Sequence, residues 1–182
     1  MSTRYSARGP APLAERYWHR RRDVGLSLRK QVVRKPSDLT ARDVMNNCPV
    51  MVKPEDSIER VARLMSESAS AAVPVVDKLG RLLGIITNRD ITVRLIAKGL
   101  SIPHAQASDC MTSEAFACSA DMSLESCMHG MSWHQVNHIP IVDDEHKLVG
   151  MISQGDVVRY VCEHAESLGS GAMTDILYAL AY

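Results

Sequence analysis

Aromatic side chains are scarce in this chain of 182 residues, which holds one Phe, two Trp and five Tyr. A core with so few rings must be built from aliphatic side chains and the ten methionines. No apolar run approaches the ~20 residues that cross a bilayer, so a transmembrane helix is not expected. The N-terminus has no apolar signal core; it is basic and polar. The five cysteines are odd in number and lack CxxC spacing, which argues for reduced thiols in a cytosol. Nucleophile elbow, Walker loop, GxGxxG and HExxH are all missing, so an enzyme is not expected. Cys118, Cys127, His129, His134 and His138 lie close in sequence, but their spacing fits no standard zinc pattern. No metal site is expected there.

Net charge is zero, yet it is unevenly spread. Residues 1–39 carry ten Lys/Arg against three acids, and the remainder carries eleven against eighteen. A basic arm, with Arg20-Arg21-Arg22 behind Tyr17 and Trp18, precedes a mildly acidic body. Such an arm can neutralise phosphates and stack on bases, or dock on its own body or a partner subunit. Residues 1–22 read as disordered, and 24–33 as either a short strand or a helix.

What the chain does contain is a repeat at an offset of 66 residues. Gly84-Ile85-Ile86-Thr87-Asn88-Arg89-Asp90 lies over Gly150-Met151-Ile152-Ser153-Gln154-Gly155-Asp156. The same offset, without a gap, pairs Asp43 with Asp109, Ser57 with Ser123, Met65 with Met131, Pro74 with Pro140 and Asp77 with Asp143. A repeat fixes the architecture before any element is assigned. Each copy is too small for a full core, so the two are expected to share one.

Within each copy the pattern reads strand, helix, strand, strand, helix, an α/β (α+β) unit. Thr40 and Ser108 precede helical turns. Residues 49–52 and 115–118 read as extended. Ile58, Val61, Ala62 and Met65 form one helical face, as do Leu124, Cys127, Met128 and Met131. Strands follow at 73–77 and 139–143, where the prolines suggest an edge or a strand start. Return strands at 81–86 and 147–152 lead into helices 88–98 and 154–166. Ile176, Leu177 and Leu180 suggest a short amphipathic turn in the tail.

The motif carries chemistry. Thr87 and Ser153 stand where a strand meets a helix, and a hydroxyl beside free N–H groups suits an anion. Asp90 and Asp156, one turn on, suit ribose hydroxyls. The same spacing is also that of a capping box, which starts a helix with no ligand at all. Gly84 and Gly150 leave room for a ligand or for a close backbone.

These two motif copies, the Val-Pro-Val-Val-Asp and Ile-Pro-Ile-Val-Asp segments and the helix order resemble a tandem pair of CBS domains, a Bateman module. The resemblance covers about residues 39–164. It divides the chain into an arm (1–38), motif 1 (39–100), motif 2 (105–165) and a tail (166–182), with the motifs related by a pseudo-twofold axis. It implies a stand-alone, cytoplasmic regulatory module that senses AMP, ADP or ATP and signals to a protein partner. NADH and S-adenosylmethionine share the adenosine, and no cofactor is required. Thr87, Asp90, Ser153 and Asp156 would contact phosphate and ribose. Each adenine slot would be completed by the opposite repeat: residues 114–118, including Phe116, for the first motif, and 48–52, including Val50, for the second. Val73 and Ile139 would line the base or simply fill the core. Arg89 would reach a phosphate or stand exposed at a helix start; its counterpart is Gly155, and His138 stands in for it at the second site. The family also implies a homodimer. Two other readings stay open: a ligand-free scaffold, and a nucleic-acid regulator acting through residues 4–35.

Overall fold

The computed structural model describes residues 38–164 together with Leu168, Thr174 and Ile176. The arm, the 24–33 segment and most of the tail lie outside the described residues. The first repeat supplies α1 (Ala41–Val44), α2 (Ile58–Ser68), β1 (Ala72–Val76) and β2 (Leu82–Thr87). A mixed helix, α3, then runs over 88–98: α-helical at Asn88–Asp90, π at Ile91–Leu95 and 3-10 at Ile96–Lys98. The second supplies α4 (Ala107–Cys110), β3 (Thr112–Ser113), β4 (Cys118–Ser119), α5 (Leu124–His134), β5 (His138–Val142), β6 (Leu148–Ser153) and α6 (Gln154–Glu163).

Local sequence explains these boundaries. Ser57 and Ser123 cap α2 and α5, each hydroxyl accepting from the backbone N–H three residues on. Ile58, Val61 and Met65 are buried on α2; Ala62, expected with them, is exposed. On α5 the whole expected set of Leu124, Cys127, Met128 and Met131 is buried. The cap of α4 is Gln106, not Ser108: Asp109 Oδ2 accepts from the Gln106 N–H at 2.8 Å, which starts the turn two residues earlier. Pro74 and Pro140 sit third in β1 and β5; β1 is the end strand of its sheet, as the proline suggested, while β5 is the middle strand of its own. β1 pairs antiparallel with β2 and bridges Val52 in parallel; β5 pairs with β6 and with β4. The prolines are tolerated because the parallel neighbour is so short. It takes from Pro74 only its carbonyl, at 3.0 Å from the Val52 N–H.

The repeats do not share one core, as their size suggested. They form two, and each lends the other its first segment. Leu39 and Ala41 are buried in a cluster with Leu124, Met128, Ile139 and Ile152 of the second repeat. Ala105, Ala107 and Cys110 are buried in a cluster with Ile58, Val73, Ile86 and Leu95 of the first. Ile176 and Leu168 from the tail join the second cluster.

Matching backbone hydrogen bonds hold each exchanged segment. Ala41 N–H donates to Met122 O and Leu124 N–H to Leu39 O; Ala107 N–H donates to Asp56 O and Ile58 N–H to Ala105 O, all at 2.8–3.0 Å. Past each helical turn the chain adds to the opposite sheet. Ser113 and Thr112 of β3 pair with Gly84 and Ile85, and Asn46 pairs with Met151. The two hairpin turns meet as well, Leu82 N–H donating to His146 O and Leu148 N–H to Gly80 O.

The motif glycines are therefore required by a close backbone. A Cβ at Gly84 would overlap the Thr112 carbonyl, and one at Gly150 would lie 2.6 Å from Met45 Sδ and 3.1 Å from Asn46 O. A backbone carbonyl held in a sheet cannot step aside, whereas a Met side chain can. Gly84→Ala is expected to cost about 1–3 kcal/mol in urea unfolding, and Gly150→Ala less. Equal stability of Gly84→Ala and wild type would contradict this packing.

Candidate functional site

Thr87 ends β2 in extended conformation (φ −109°, ψ 162°) and begins the mixed helix. Its N–H and its hydroxyl both donate to Asp90 Oδ2, at 2.8 and 2.6 Å, and its Oγ1 accepts from the Asp90 N–H at 3.2 Å. Ser153 and Asp156 repeat the arrangement at 2.9, 2.6 and 3.1 Å. Both motifs thus form capping boxes. The remaining oxygen of each carboxylate meets an arginine: Asp90 Oδ1 lies 3.3 Å from Arg94 and Asp156 Oδ1 lies 3.0 Å from Arg159. A carboxylate offers about four lone-pair positions. Three carry contacts here, so Oδ1 keeps capacity for a further donor. Capping and ligand contact are compatible uses of the same group.

The copies differ around this common frame. Arg89 is exposed and joins no ion pair or hydrogen bond among the described residues, while its counterpart Gly155 has no side chain. His138 lies across the strand pair from Ser153, where the first copy has Ala72 across from Thr87. Burial holds the His138 pKa below its ordinary 6.5, with Asp156 pulling the other way. The structure therefore brings His138, Ser153 and Asp156 together, as the sequence suggested.

Two of the expected apolar residues have no exposed surface. Val73 and Ile139 are each 0% exposed and pack inside the two cores. Their side chains fill the cores, the other use that the strand pattern allowed them. Val50 packs half-buried against the first core. Phe116 packs against the second, stacked on His134 with ring centroids 4.3 Å apart. The crossing between repeats runs instead through Asn46 and Thr112–Ser113. Arg94 was missed altogether. The one sequence signal was its place four residues after Asp90, a spacing at which helical side chains meet.

Family comparison accounts for this exchanged pair of repeats. A model of the CBS domain matches residues 41–97 and again 107–163. The chain belongs to the CBS-domain family. CBS domain-containing protein YhcV of Bacillus subtilis is 35% identical over 137 residues, which cover 75% of this chain and 94% of that protein. Hypoxic response protein 1 of Mycobacterium tuberculosis is 32% identical over 126 residues, 69% of this chain and 87% of the relative. The solved structure of hypoxic response protein I, with two coordinated zinc ions, superposes at a TM-score of 0.61 with 31% identity, covering 66% of this chain and 97% of that one. The CBS domain pair of protein MJ0100, solved with 5-methylthioadenosine and S-adenosyl-L-methionine, gives a TM-score of 0.61 with 25% identity, covering 68% and 96%.

Among the described residues of this CBS pair, no group of three or more His, Cys, Asp or Glu is placed to hold a metal. An open depression of about 540 Å³ at the end of α5 is lined by His129, Gly130, Ser132, Trp133, His134 and Gln135. None of the motif residues lines it.

Two outcomes follow for the CBS pair in solution. The neutral His138 ring is favoured on folding, so its contribution to stability is complete above about pH 6.5 and is lost as pH falls below that value. Wild type should lose stability relative to His138→Gln between about pH 7 and about pH 5 in urea unfolding. Parallel stability curves would show that the ring titrates as it does unfolded. Cys110, Cys118 and Cys127 are buried, and burial pushes the Cys110 thiol up to about 11. Iodoacetamide should therefore label Cys48 and Cys162 in the native protein, with the other three reacting only after denaturation.

Proposed function

We propose that the two CBS motif sites take an adenosine-bearing small molecule and that its occupancy changes the shape offered to a regulated protein partner. The candidates are AMP, ADP and ATP, with NADH and S-adenosylmethionine carrying the same adenosine. Thr87 and Asp90 serve the first site, with Arg89 turned to a phosphate or other anionic end. Ser153 and Asp156 serve the second, with His138. The carrying observation is the twice-built hydroxyl–carboxylate pair, each carboxylate partly open to solvent at 14% and 21% side-chain exposure. Support comes also from the likeness to the MJ0100 domain pair, solved with two adenosine-bearing molecules.

In this reading the protein is a non-catalytic regulator, homodimeric and cytoplasmic, that needs no cofactor. Among the described residues no helix is long and apolar enough to cross a membrane. A ligand shifts such a module only by binding one conformation better than another. The exposed Arg89, which joins no ion pair among the described residues, favours a charged ligand at the first site, because a guanidinium gives planar paired hydrogen bonds to phosphate oxygens.

Titration calorimetry with AMP, ADP, ATP, NADH and S-adenosylmethionine tests the proposal on purified, nucleotide-free protein. Saturable binding of at least one is expected. Asp90→Asn or Asp156→Asn should weaken it about tenfold or more, as befits a lost hydrogen bond to a charged group. Absence of heat from all five, on folded protein, would turn the assignment to a ligand-free scaffold.

A further inference from the structure

Arg94 bonds to both repeats at once. Its Nη1 donates to the carbonyls of Cys110 at 2.9 Å and Met111 at 2.8 Å, and its Nη2 donates to Thr112 Oγ1 at 2.9 Å. The same Nη2 lies 3.3 Å from Asp90 Oδ1. One guanidinium thus joins the carboxylate of the first motif to the C-terminal end of α4 and the start of β3. Those two elements belong to the second repeat.

The chemistry suits a fixed strap. The last carbonyls of a helix lack intrahelical donors and carry partial negative charge, which a cation satisfies. An arginine fork presents several donors in one rigid plane, so it can hold three acceptors and a carboxylate together. Arg94 also lies in the π segment Ile91–Leu95, a local widening that is frequent at functional sites.

Among the described residues the second repeat shows no arginine strap of this kind. Its residue at the offset of Arg94 is Tyr160. Asp156 pairs instead with Arg159, three residues on, whose side chain is 55% exposed. Among the described residues Arg159 makes no bond to the first repeat's leading segment.

We propose that Arg94 is a positioning residue that couples the first motif site, and not the second, to the exchanged segment 110–113. The inference rests on the reading of Thr87 and Asp90 as a ligand site. Arg94 fixes Oδ1 of Asp90, while Thr87 fixes Oδ2, so the carboxylate plane is set before a ligand arrives. A ligand that takes the remaining acceptor capacity holds Asp90 still and tightens the grip of Arg94 on residues 110–112. Coupling of this kind is reciprocal: whatever loosens 110–113 weakens binding at the first site by the same factor. Occupancy of the second site reaches no equivalent segment through an arginine.

Hydrogen–deuterium exchange on the full chain reads the strap with no ligand present. Asp90→Asn removes the charge that faces Arg94, and exchange across 110–113 should rise about fivefold or more. The matching change Asp156→Asn should leave exchange across 45–47 as in wild type. Unchanged exchange at 110–113 in Asp90→Asn overturns the coupling, and a rise at 45–47 in Asp156→Asn overturns the asymmetry. Calorimetry with AMP and S-adenosylmethionine, in an Asp156→Ala background, reads positioning. Arg94→Gln should weaken first-site binding about fivefold or more. Thr112→Val, which leaves Asp90 and Arg94 in place, should weaken it less but in the same direction. Unaltered affinity in both folded variants overturns the positioning role. If neither probe binds wild-type protein, the ligand reading fails, and exchange in the ligand-free variants still decides the strap.

Discussion

The exchange of leading segments between the two repeats is the constraint on which the rest of the molecule depends. Leu39 and Ala41 complete the second core; Ala105, Ala107 and Cys110 complete the first. Backbone hydrogen bonds with the same 66-residue offset fasten both crossings, so neither core closes without the other repeat. A buried leucine contributes on the order of 2 kcal/mol. Leu39 adds this burial at one crossing, and the smaller Ala105, Ala107 and Cys110 add theirs at the other, beside the backbone hydrogen bonds. The motif glycines follow from the same constraint, because β2 and β6 must accept a neighbouring backbone at Gly84 and Gly150.

This arrangement also places the functional groups. Each Thr/Ser–Asp pair begins at the last residue of a strand that the opposite repeat has just joined. The motif is therefore held on its own side by a capping box and on the other by a strand from across the pseudo-twofold axis. The two sites are alike in this frame and unlike in their charged neighbours. Arg89 and Arg94 surround the first, His138 and Arg159 the second. Duplication supplied the frame, and side-chain divergence supplied the difference.

Much of this was legible in the sequence for a physical reason. A gapless repeat and helical periodicity report which residues turn inward, and Ile58, Val61, Met65, Leu124, Cys127, Met128 and Met131 do so. The hydroxyl and carboxylate of each motif stand at fixed local spacing, so their bonding to one another could be read directly. Periodicity does not say against which partner a residue is buried. The crossings of Leu39 and Ala107 were consequently invisible, and one shared core was expected where two exist. Val73 and Ile139 were legible as apolar strand residues, but not as residues without surface. Arg94 was hidden because two of its four partners are backbone carbonyls, which every residue possesses and no sequence pattern marks.

The exchange has a bearing on how the chain is made. Arg42 reaches Asp121, 79 residues later, and Leu39 needs the side chains of α5, β5 and β6. A ribosome delivers residues in order at about 5–20 per second. The first leading turn must therefore wait several seconds, its apolar side exposed, until the second repeat has emerged. The first core, by contrast, closes as soon as α4 and β3 appear. Vectorial synthesis thus gives two nearly symmetric halves unequal histories. The early half is completed by its successor, and the late half by a segment that has been waiting for it.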